Sequence, residues 1–347
     1  MIKKLFTITL LLITYFSFAQ KLEKNKKYLT TIIAFWNVEN LYDTLNDPKK
    51  IDEEYLPTAH NLWNTQRYFK KIEHLSDIIA QLGTEYNSDG PAVMGLCEIE
   101  NDNVLTDLVN SEKLKPKKYK FIHFEGPDAR GVDPALIYNP KYFKPEKSIT
   151  YSVVVVTDTA HKTRDILVVY GKLLNEPAVF LVNHWPSRRG GEEASRPNRI
   201  SAAKTARHIT DSITKVNPSI KIFIMGDFND DPINESIKTI KTYADLKRTR
   251  DDEFFNPMEN LYKKGIGTLA YQDNWNLFDQ ILINKPALPT DFSTLQYTDV
   301  KVFNKPFVRN DFGNFKGYPF RTFAGGTYQG GYSDHFSVFI ILARESK

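Results

Sequence analysis

The sequence predicts a layered α/β domain with β-sheets at its centre. Short runs rich in apolar, β-branched and aromatic residues have the length of buried strands, and amphipathic helices are interleaved with them. No repeat, low-complexity tract or linker interrupts the chain after its charged leader, so we place one domain at residues 28–345. This length suits a core made of two sheets.

The first nineteen residues resemble a cleavable secretory signal. Lys3 and Lys4 precede an apolar stretch from Leu5 to Phe16, and a small-x-small ending closes at Ala19. The alternative is a membrane anchor, but the stretch is shorter than the ~20 residues that span a bilayer. We therefore expect cleavage after residue 19, no stable membrane insertion afterwards, and export. The pattern leaves open whether the destination is the periplasm or the medium.

Charge and cysteine content narrow the functional classes. The formal net charge is +4 and falls to +2 once Lys3 and Lys4 are removed, which argues against a nucleic-acid binder that works by charge alone. The single cysteine, Cys97, has no intramolecular partner, and its apolar neighbours indicate a thiol of the core. We also expect the protein to be a monomer.

The predicted elements follow from hydrophobic periodicity. Apolar residues recur at helical spacing over 64–82 and again over 198–216, where Pro197 stands near the start. Two stretches, 241–271 and 291–318, are expected to be surface excursions that shape a cleft. The predicted strands are 31–36, 92–97, 119–124, 135–138, 149–157, 166–174, 178–183, 220–226, 278–283 and 336–342.

Polar side chains stand where several of these apolar runs stop or begin. Carboxylates, amides and imidazoles at the same end of several strands converge on one cleft, and buried charge is costly unless it is paired or bound to a metal. We therefore expect the ends to meet, with Glu98, Asp227 and His335 as neighbours around one magnesium-sized site. The residues concerned are Asn37, Glu98, His184, Asp227, Asn229, Asp334 and His335.

This composition fits hydrolysis of a phosphate ester, which needs a cation, a base for water and donors for the charged transition state. Glu98 is the primary candidate metal ligand, Asn37 would steady it or its water, and Asp334 suits the metal or its water shell. Oxygen ligands favour Mg²⁺ or Mn²⁺. Zinc fits less well, because the chain has no cysteine cluster and no His-x-x-x-His pair.

Four further residues complete the predicted chemistry. An imidazole such as that of His335 exchanges a proton near neutrality, and Asp279, at the start of an apolar run, is the candidate carboxylate that orients it. Asp227 and Asn229 lie two positions apart, so on an extended segment they face the same site, one activating water and one donating to phosphate.

Six motifs in this order resemble the successive signatures of the endonuclease/exonuclease/phosphatase superfamily. The resemblance implies a four-layer α/β/β/α sandwich with two packed central β-sheets and divalent-metal-dependent cleavage of phosphoesters. It also implies that His184 contacts the phosphate, that Glu98 is the main metal ligand and that His335 is the catalytic imidazole. The motifs are Trp36-Asn37-Val38-Glu39-Asn40-Leu41, Leu96-Cys97-Glu98, Asn183-His184-Trp185, Gly226-Asp227-Phe228-Asn229, Phe278-Asp279 and Ser333-Asp334-His335-Phe336.

Several arginines are candidate phosphate ligands. Arg188 and Arg189 follow His184 closely, and Arg321 precedes the Asp334-His335 pair, although each is equally compatible with a solvated turn. Arg130 lies in segment 128–138, which matches the family only loosely. The sequence therefore leaves the roles of Arg130, Asp133 and Tyr138 open.

The leading hypothesis is an exported, metal-dependent nuclease or phosphodiesterase that acts on nucleic acid. The same core chemistry also suits a phosphatase or a phospholipid phosphodiesterase acting on sugar phosphates or lipid headgroups. A third possibility, from a different class, is a binding module that kept the fold and lost its activity, but that reading expects gaps in the set of site residues and the sequence has none.

Overall fold

The computed structural model describes residue 23 and residues 25–346, so the predicted signal segment 1–19 lies outside the described residues. It contains a six-stranded and a seven-stranded sheet with helices packed against them, and this confirms the predicted α/β fold class. Within the described residues, no helix has both the length and the apolar character needed to cross a bilayer.

The elements have the following bounds in chain order. The strands are β1 (Tyr28–Leu41), β2 (Val93–Ile99), β3 (Lys120–His123), β4 (Asp133–Tyr138), β5 (Phe143–Tyr151), β6 (Ile166–Leu173), β7 (Glu176–His184), β8 (Lys221–Asp227), β9 (Thr242–Tyr243), β10 (Phe254–Phe255), β11 (Leu269–Tyr271), β12 (Asn274–Asn276), β13 (Asp279–Asn284), β14 (Gln296–Val302), β15 (Phe323–Ala324), β16 (Thr327–Tyr328) and β17 (Val338–Glu345). The α-helices are α1 (Thr65–Gln81), α2 (Asp102–Val109), α3 (Glu192–Val216), α4 (Glu235–Thr239) and α5 (Met258–Tyr262).

Each large sheet has a parallel pair of strands near its centre. The first sheet has the order β14-β17-β1-β2-β4-β3, and the second has the order β5-β6-β7-β8-β13-β10-β9. Strands β1 and β2 run parallel, as do β7 and β8, while their other neighbours are antiparallel. The carboxyl ends of these two parallel pairs are where the functional motifs stand.

Three apolar clusters hold together the four layers of the fold, which are two sheets and a layer of helices on the outer face of each. One lies between the sheets and combines residues such as Phe35 and Val93 of the first sheet with Phe180 and Phe223 of the second. The other two pack the outer face of the first sheet against α1 and α2, and that of the second sheet against α3 and α4. Strands buried on both faces need continuous apolar runs, which is why these segments are recognisable in the sequence.

Helix α1 forms where the periodicity predicts it. The Asn64 side chain accepts a hydrogen bond from the backbone N–H of Arg67 at 3.1 Å, which caps the helix start. Ile72, Leu75 and Ile79 face the first sheet and are buried. Because the cap and the apolar stripe are both local features, the sequence was sufficient to predict this helix.

Helix α3 begins at Glu192 and not at residue 198, so this predicted boundary was wrong. Pro197 lies inside the helix, where it removes one backbone donor. The added turn is held by Arg199, whose side chain is fully buried and donates to the Glu192 carbonyl at 3.0 Å and to Ser195 Oγ at 2.8 Å. These contacts between side chain and backbone outweigh the proline signal.

Three other predictions need correction. The strand predicted at 149–157 is β5 at Phe143–Tyr151, and the β-branched residues Val154 and Val156 that favoured the later position are about half exposed. The stretch 241–271 contains β9 and β10, and 291–318 contains β14, so neither is only a surface excursion. Pairing with β6, β13 and β17 decided these strands, and such pairing has no local signature.

Candidate active site

The polar residues predicted to converge lie at one end of both sheets. In the first sheet, Asn37 of β1 is level with Cys97 of β2, and Glu98 follows. In the second sheet, Asp227 of β8 is level with His184 of β7 on one side and with Asp279 of β13 on the other. Strand register therefore brings the site together across two sheets.

The backbone around the site is strained. Glu39, Asn40, Glu98 and Asn229 have φ values of 54°, 52°, 65° and 51°, the left-handed region that residues other than glycine rarely adopt. Left-handed residues of this kind tend to cluster where side chains must be aimed at a ligand. Here they turn the chain at the ends of β1, β2 and β8.

Close packing of β7 against β8 explains the glycine of the Gly226-Asp227-Phe228-Asn229 motif. A Cβ atom on Gly226 would lie 2.6 Å from the Asn183 carbonyl oxygen, so only glycine fits. Asn183 in turn donates to the Met225 carbonyl at 3.1 Å and accepts from Trp185 Nε1 at 3.0 Å. The two strand ends that carry His184 and Asp227 are thus held rigidly together.

His335 and Asp279 form a buried pair. His335 Nδ1 lies 2.7 Å from Asp279 Oδ2, and Nε2 lies 3.9 Å from Asp227 Oδ2. Burial opposes the charged form, but the carboxylates of Asp279 and Asp227 outweigh it and hold the pKa of His335 well above its usual value. These carboxylates favour the charged form of the imidazole, and the contact with Asp279 fixes the orientation of the ring.

The loop before β17 fixes the position of this histidine. Trp36 Nε1 donates to the His335 carbonyl at 2.8 Å, and Ser333 Oγ donates to the Asn37 carbonyl at 2.7 Å. Ser333 Oγ also accepts from the His335 N–H at 3.0 Å. Two side chains, those of Trp36 and Ser333, thus make three hydrogen bonds that hold the end of β1 to the segment before β17.

Asp227 lies at the centre of the cluster. Its Oδ2 accepts from Asn37 Nδ2 at 3.0 Å, and its Oδ1 accepts from the Asn229 N–H at 2.9 Å. Burial raises the pKa of Asp227 above the ordinary aspartate value, although the neighbouring His335 cation opposes that shift. A buried carboxylate with a raised pKa is suited to take a proton from water.

Both polar atoms of the Asn37 amide are hydrogen-bonded within the protein. Besides the bond to Asp227, its Oδ1 accepts from the Glu39 N–H at 2.9 Å. Asn229 Nδ2 donates to the Trp185 carbonyl at 3.0 Å, so the structure ties it to the end of β7. The metal role of Asn37 and the phosphate role of Asn229 therefore stay predictions, while their contacts show how they position Asp227 and the β7–β8 edge.

His184 contrasts with His335. It is buried, yet its closest carboxylate oxygens, Asp227 Oδ2 and Glu98 Oε1, are 3.7 Å and 3.8 Å from Nε2. Its Nδ1 is buried without a hydrogen-bond partner. Burial, with help from the cations Arg164, Arg130 and His335, holds the pKa of His184 well below its usual value, so the ring is neutral.

Arg164 is a site residue that the sequence analysis missed. It is buried, donates to the Trp185 carbonyl at 2.9 Å and lies 3.3 Å from Asp128 Oδ2, and its Nε has no partner. It lowers the pKa of His184, which places its charge at the cleft. The available signal was an arginine two residues before Ile166, where the apolar run that becomes β6 begins.

Arg130 lies at the same side of the cleft. Its carbonyl accepts a hydrogen bond from the Tyr42 hydroxyl at 2.8 Å, and its guanidinium Nε is 3.7 Å from Asp128 Oδ1. The carboxylate of Glu98 raises its pKa against the effect of burial, so the arginine charge faces the Glu98 end of the site. Arg130 and Arg164 thus share Asp128 and form the cationic wall of the cleft.

A chain of charges connects Asp334 to helix α1. Arg321 lies 2.9 Å from Asp334 Oδ2 and 3.3 Å from Glu39 Oε1. Glu39 Oε2 accepts from the Thr322 N–H at 2.6 Å and lies 3.7 Å from Nζ of the buried Lys71. Arg321 therefore reaches the cleft, but it is already paired with two carboxylates.

Arg188 is paired within the protein. Its guanidinium donates to the Asn229 carbonyl at 3.0 Å and pairs with Glu192 at 2.7 Å and Asp230 at 3.1 Å. It thereby ties the β8 end to the start of α3, and its role as a phosphate ligand stays a prediction. Arg189 is exposed in the same loop.

The donor set fits a hard divalent cation. Glu98 Oε2 accepts from the Asn40 N–H at 2.8 Å, whereas its Oε1 has no hydrogen bond within the described part of the chain. Asp334 contributes a second carboxylate that is about one-third exposed. Carboxylate oxygens that leave room for water are the ligands that Mg²⁺-type ions accept.

The sequence was compared with models of protein families and with curated proteins. Residues 32–344 match the model of the Endonuclease/Exonuclease/phosphatase family. A search of curated proteins gave no match.

Three solved structures illustrate the similarity of the fold. An endonuclease/exonuclease/phosphatase family protein from Bacteroides thetaiotaomicron superposes with a TM-score of 0.53 at 13% identity, covering 92% of this chain and 97% of its own. The human Nocturnin catalytic domain with bound sulfate superposes with 0.53 at 16% identity, covering 91% and 97%. TDP2 from D. rerio, complexed with a single-strand DNA product, superposes with 0.52 at 14% identity, covering 90% and 98%.

Because these identities are low, the solved structures show similarity of fold alone. The family assignment is based on the family model, which matches nearly the whole chain. Strand ends that carry Glu98, Asp227 and His335 converge in the manner that the six motifs predict. The chain therefore belongs to the endonuclease/exonuclease/phosphatase family, whose members are metal-dependent phosphoester hydrolases.

Proposed function

We propose that this protein is an exported phosphodiesterase that hydrolyses phosphodiester bonds of nucleic acid by attack of an activated water. The observation that carries the proposal is the position of Asp227. It is a buried carboxylate that lies within 4 Å of two imidazoles and accepts an amide hydrogen bond from the other sheet. Such a group is built to accept a proton in a cleft that binds anions.

Asp227 is the proposed general base. Its raised pKa makes it a better proton acceptor than an exposed aspartate, and the Asn37 and Asn229 hydrogen bonds fix its orientation. A water between Asp227 and the phosphorus would lose its proton to the carboxylate as it attacks. Positioning by two rigid hydrogen bonds reduces the entropy that this step would otherwise cost.

The charge that develops on the phosphate is met by the remaining groups. His335, held as a cation by Asp279, supplies a full positive charge, and neutral His184 donates one hydrogen bond without adding charge. Arg164 and Arg130 supply two more cations at the other side of the cleft. Fixed donors in a cleft of low dielectric are the largest contribution to this type of catalysis.

Glu98 and Asp334 are the proposed ligands of Mg²⁺ or Mn²⁺. The ion would neutralise phosphate charge and polarise the ester when bound. Asn37 would steady Glu98 or a water of the ion. The oxygen-only donor set supports a hard ion over zinc at this position.

Nucleic acid is the proposed substrate class for two reasons. One of the similar structures, a TDP2, is recorded with a single-strand DNA product. The cleft also presents several cations, which suit a polyanion although the net charge of the chain is small. A phosphatase or phospholipid phosphodiesterase remains the alternative substrate reading.

A substrate panel tests the proposal. We expect nicking of plasmid DNA with Mg²⁺ or Mn²⁺, loss of activity with EDTA, and loss with Glu98→Gln. Activity on sphingomyelin or inositol phosphates without activity on DNA or RNA would move the assignment to the alternative. Inertness toward every substrate, together with no divalent binding by calorimetry, would favour the binding module.

Export is proposed from the sequence pattern of residues 1–19. A monomeric state is proposed as the expectation from the sequence. Expression in a bacterial host followed by fractionation is expected to give a product in the periplasm or medium whose N-terminus is Gln20. Light scattering is expected to give the mass of one chain. A product retained in the cytoplasm with Met1 intact would refute the export proposal.

A further inference from the structure

Cys97 lies directly beside the proposed catalytic groups. It is fully buried, belongs to the apolar cluster between the two sheets, and stands one residue before Glu98. Its Sγ, a ring nitrogen of His184 and a carboxylate oxygen of Asp227 all lie within 4.8 Å of one another. Within the described residues, these three side chains lie close enough to one another to hold a metal ion.

His184 supplies an independent sign that a ligand is missing. The side chain is 5% exposed, its Nδ1 has no hydrogen-bond partner, and both carboxylate oxygens near Nε2 are beyond hydrogen-bonding distance. Leaving a buried polar group unpaired costs about 1–3 kcal/mol. A ligand that bonds to Nδ1 would remove that cost.

We propose that Cys97, His184 and Asp227 form an inhibitory site for a borderline or soft divalent cation such as Zn²⁺, Cd²⁺ or Co²⁺. A thiolate, an imidazole and a carboxylate are the donor types that zinc takes up in tetrahedral sites. This donor set differs from the oxygen-only ligands at Glu98 and Asp334. The chain thus carries two adjacent sites of different chemical preference.

The chemistry of binding balances simply. The Cys97 thiol releases its proton to solvent as the metal–sulfur bond forms, and neutral His184 needs no proton loss. Without a metal, burial raises the pKa of Cys97, and the carboxylates of Asp227 and Glu98 add to that shift. The same carboxylates attract a cation, so the surroundings disfavour a free thiolate and favour a metal-bound one.

The bound ion would inhibit hydrolysis because two of its ligands are proposed catalytic groups. Asp227 is the proposed base and His184 a proposed phosphate donor, and neither can serve while it is bound to a soft metal. Excess Mg²⁺ would not displace that ion, because Mg²⁺ binds sulfur and nitrogen ligands poorly. The inhibitory half of this inference rests on the proposed function, whereas the metal site itself does not.

A spectroscopic titration tests the site without any activity assay. The purified protein is titrated with Co²⁺ in excess Mg²⁺, which keeps the hard site filled, and the thiolate-to-cobalt charge-transfer absorption is followed in the near ultraviolet. We expect the band in the wild type and its loss in Cys97→Ala. Cys97→Ser is the second variant, because its hydroxyl keeps the volume but is a poor ligand, and melting curves identify whichever variant is folded.

Inhibition by Zn²⁺ in excess Mg²⁺ tests the consequence. Cys97→Ala is expected to keep its activity with Mg²⁺ alone and to need at least about tenfold more Zn²⁺ for half-inhibition, the scale of a lost metal contact. No band in the wild type, or a band that persists in both folded variants, overturns the site. Equal Zn²⁺ sensitivity of active wild type and variants overturns inhibition through Cys97. A band in a protein that hydrolyses no phosphoester supports the site and refutes the proposed function.

Discussion

The two histidines of the cleft have nearly the same burial but opposite surroundings. His335 is 7% exposed and has a carboxylate oxygen of Asp279 at 2.7 Å from its ring. His184 is 5% exposed, and its nearest carboxylate oxygen is at 3.7 Å. The pKa of His335 is raised well above the ordinary value, and that of His184 is lowered well below it.

Partners, and not burial, therefore decide what each histidine does. Burial alone disfavours the charged ring, and only a close, fixed carboxylate reverses that effect. On the His335 side the ring is paired with Asp279 Oδ2, although Asp279 Oδ1 is buried without a hydrogen-bond partner. On the His184 side, neither the ring Nδ1 of His184 nor Nε of Arg164 has a partner. The difference indicates a charged half around His335, where the carboxylates stabilise the protonated ring, and a neutral half around His184, which has room for an anion or a metal.

The largest expected effect is that of removing the charged half. His335→Ala is expected to lower kcat on a nucleic-acid substrate by about 10²- to 10⁴-fold, the range for a positioned acid–base group. His208→Ala, which changes an exposed histidine on α3, serves as the matched control. A loss in kcat of less than about tenfold would show that the buried cation is not used in the reaction.

Asp279→Asn weakens the charged half without removing the ring. Asp279 raises the pKa of both His335 and Asp227. A protonated His335 and a deprotonated Asp227 are the proposed active forms, so activity falls above the pKa of His335 and below that of Asp227. Both limbs of the pH profile of kcat/KM are therefore expected to move to lower pH in the variant. Limbs that stay in place, or that move up, would separate Asp279 from both titrations.

His184→Ala tests the neutral half. Loss of one hydrogen bond to a charged phosphate is worth about 1.5–3 kcal/mol, which corresponds to about a 10- to 100-fold fall in kcat/KM. We expect this smaller loss than in His335→Ala, measured on the same substrate with saturating Mg²⁺. A fall as large as that of His335→Ala would remove the distinction between the two halves.

The smallest expected effect concerns stability. Because the His184 ring makes no hydrogen bond to the described residues and its nearest carboxylates are at 3.7 Å and 3.8 Å, His184→Leu is expected to change the free energy of unfolding by no more than about 0.5 kcal/mol, or to raise it. Urea unfolding without added metal gives the value, with His335→Leu as the comparison, which strands the buried carboxylate of Asp279. A loss above about 1.5 kcal/mol in His184→Leu would mean that the protein itself satisfies this ring.

The fold and the central site were largely predictable because their signals are local. A capped, periodic segment is sufficient to define α1, and continuous apolar runs define the strands of both sheets. Polar residues at the ends of those runs are then placed at one edge by the parallel pairs β1–β2 and β7–β8. The order of the six motifs indicated the family, and the match of residues 32–344 to the family model confirmed it.

The arginines show what local reasoning leaves open. Arg188, Arg189 and Arg321 are predicted phosphate ligands because they lie near motifs. In the structure Arg188 pairs with Glu192 and Asp230, and Arg321 pairs with Glu39 and Asp334. Arg164 lies 20 residues before His184 in the chain and still shares the cleft with it. A long, flexible cation pairs with whatever carboxylate folding brings near, which the sequence around it does not specify.

The sequence by itself determined which segments are buried, which polar residues end them, and the type of chemistry those residues support. Periodicity and residue type carry this information, because burial of apolar faces is a property of each segment. Only the tertiary structure decided the protonation preferences of the two histidines, the closeness of Cys97 to His184 and Asp227, and the pairing of each arginine. These depend on distances of a few ångströms between separate strands, and electrostatic and metal-ligand interactions change steeply over such distances.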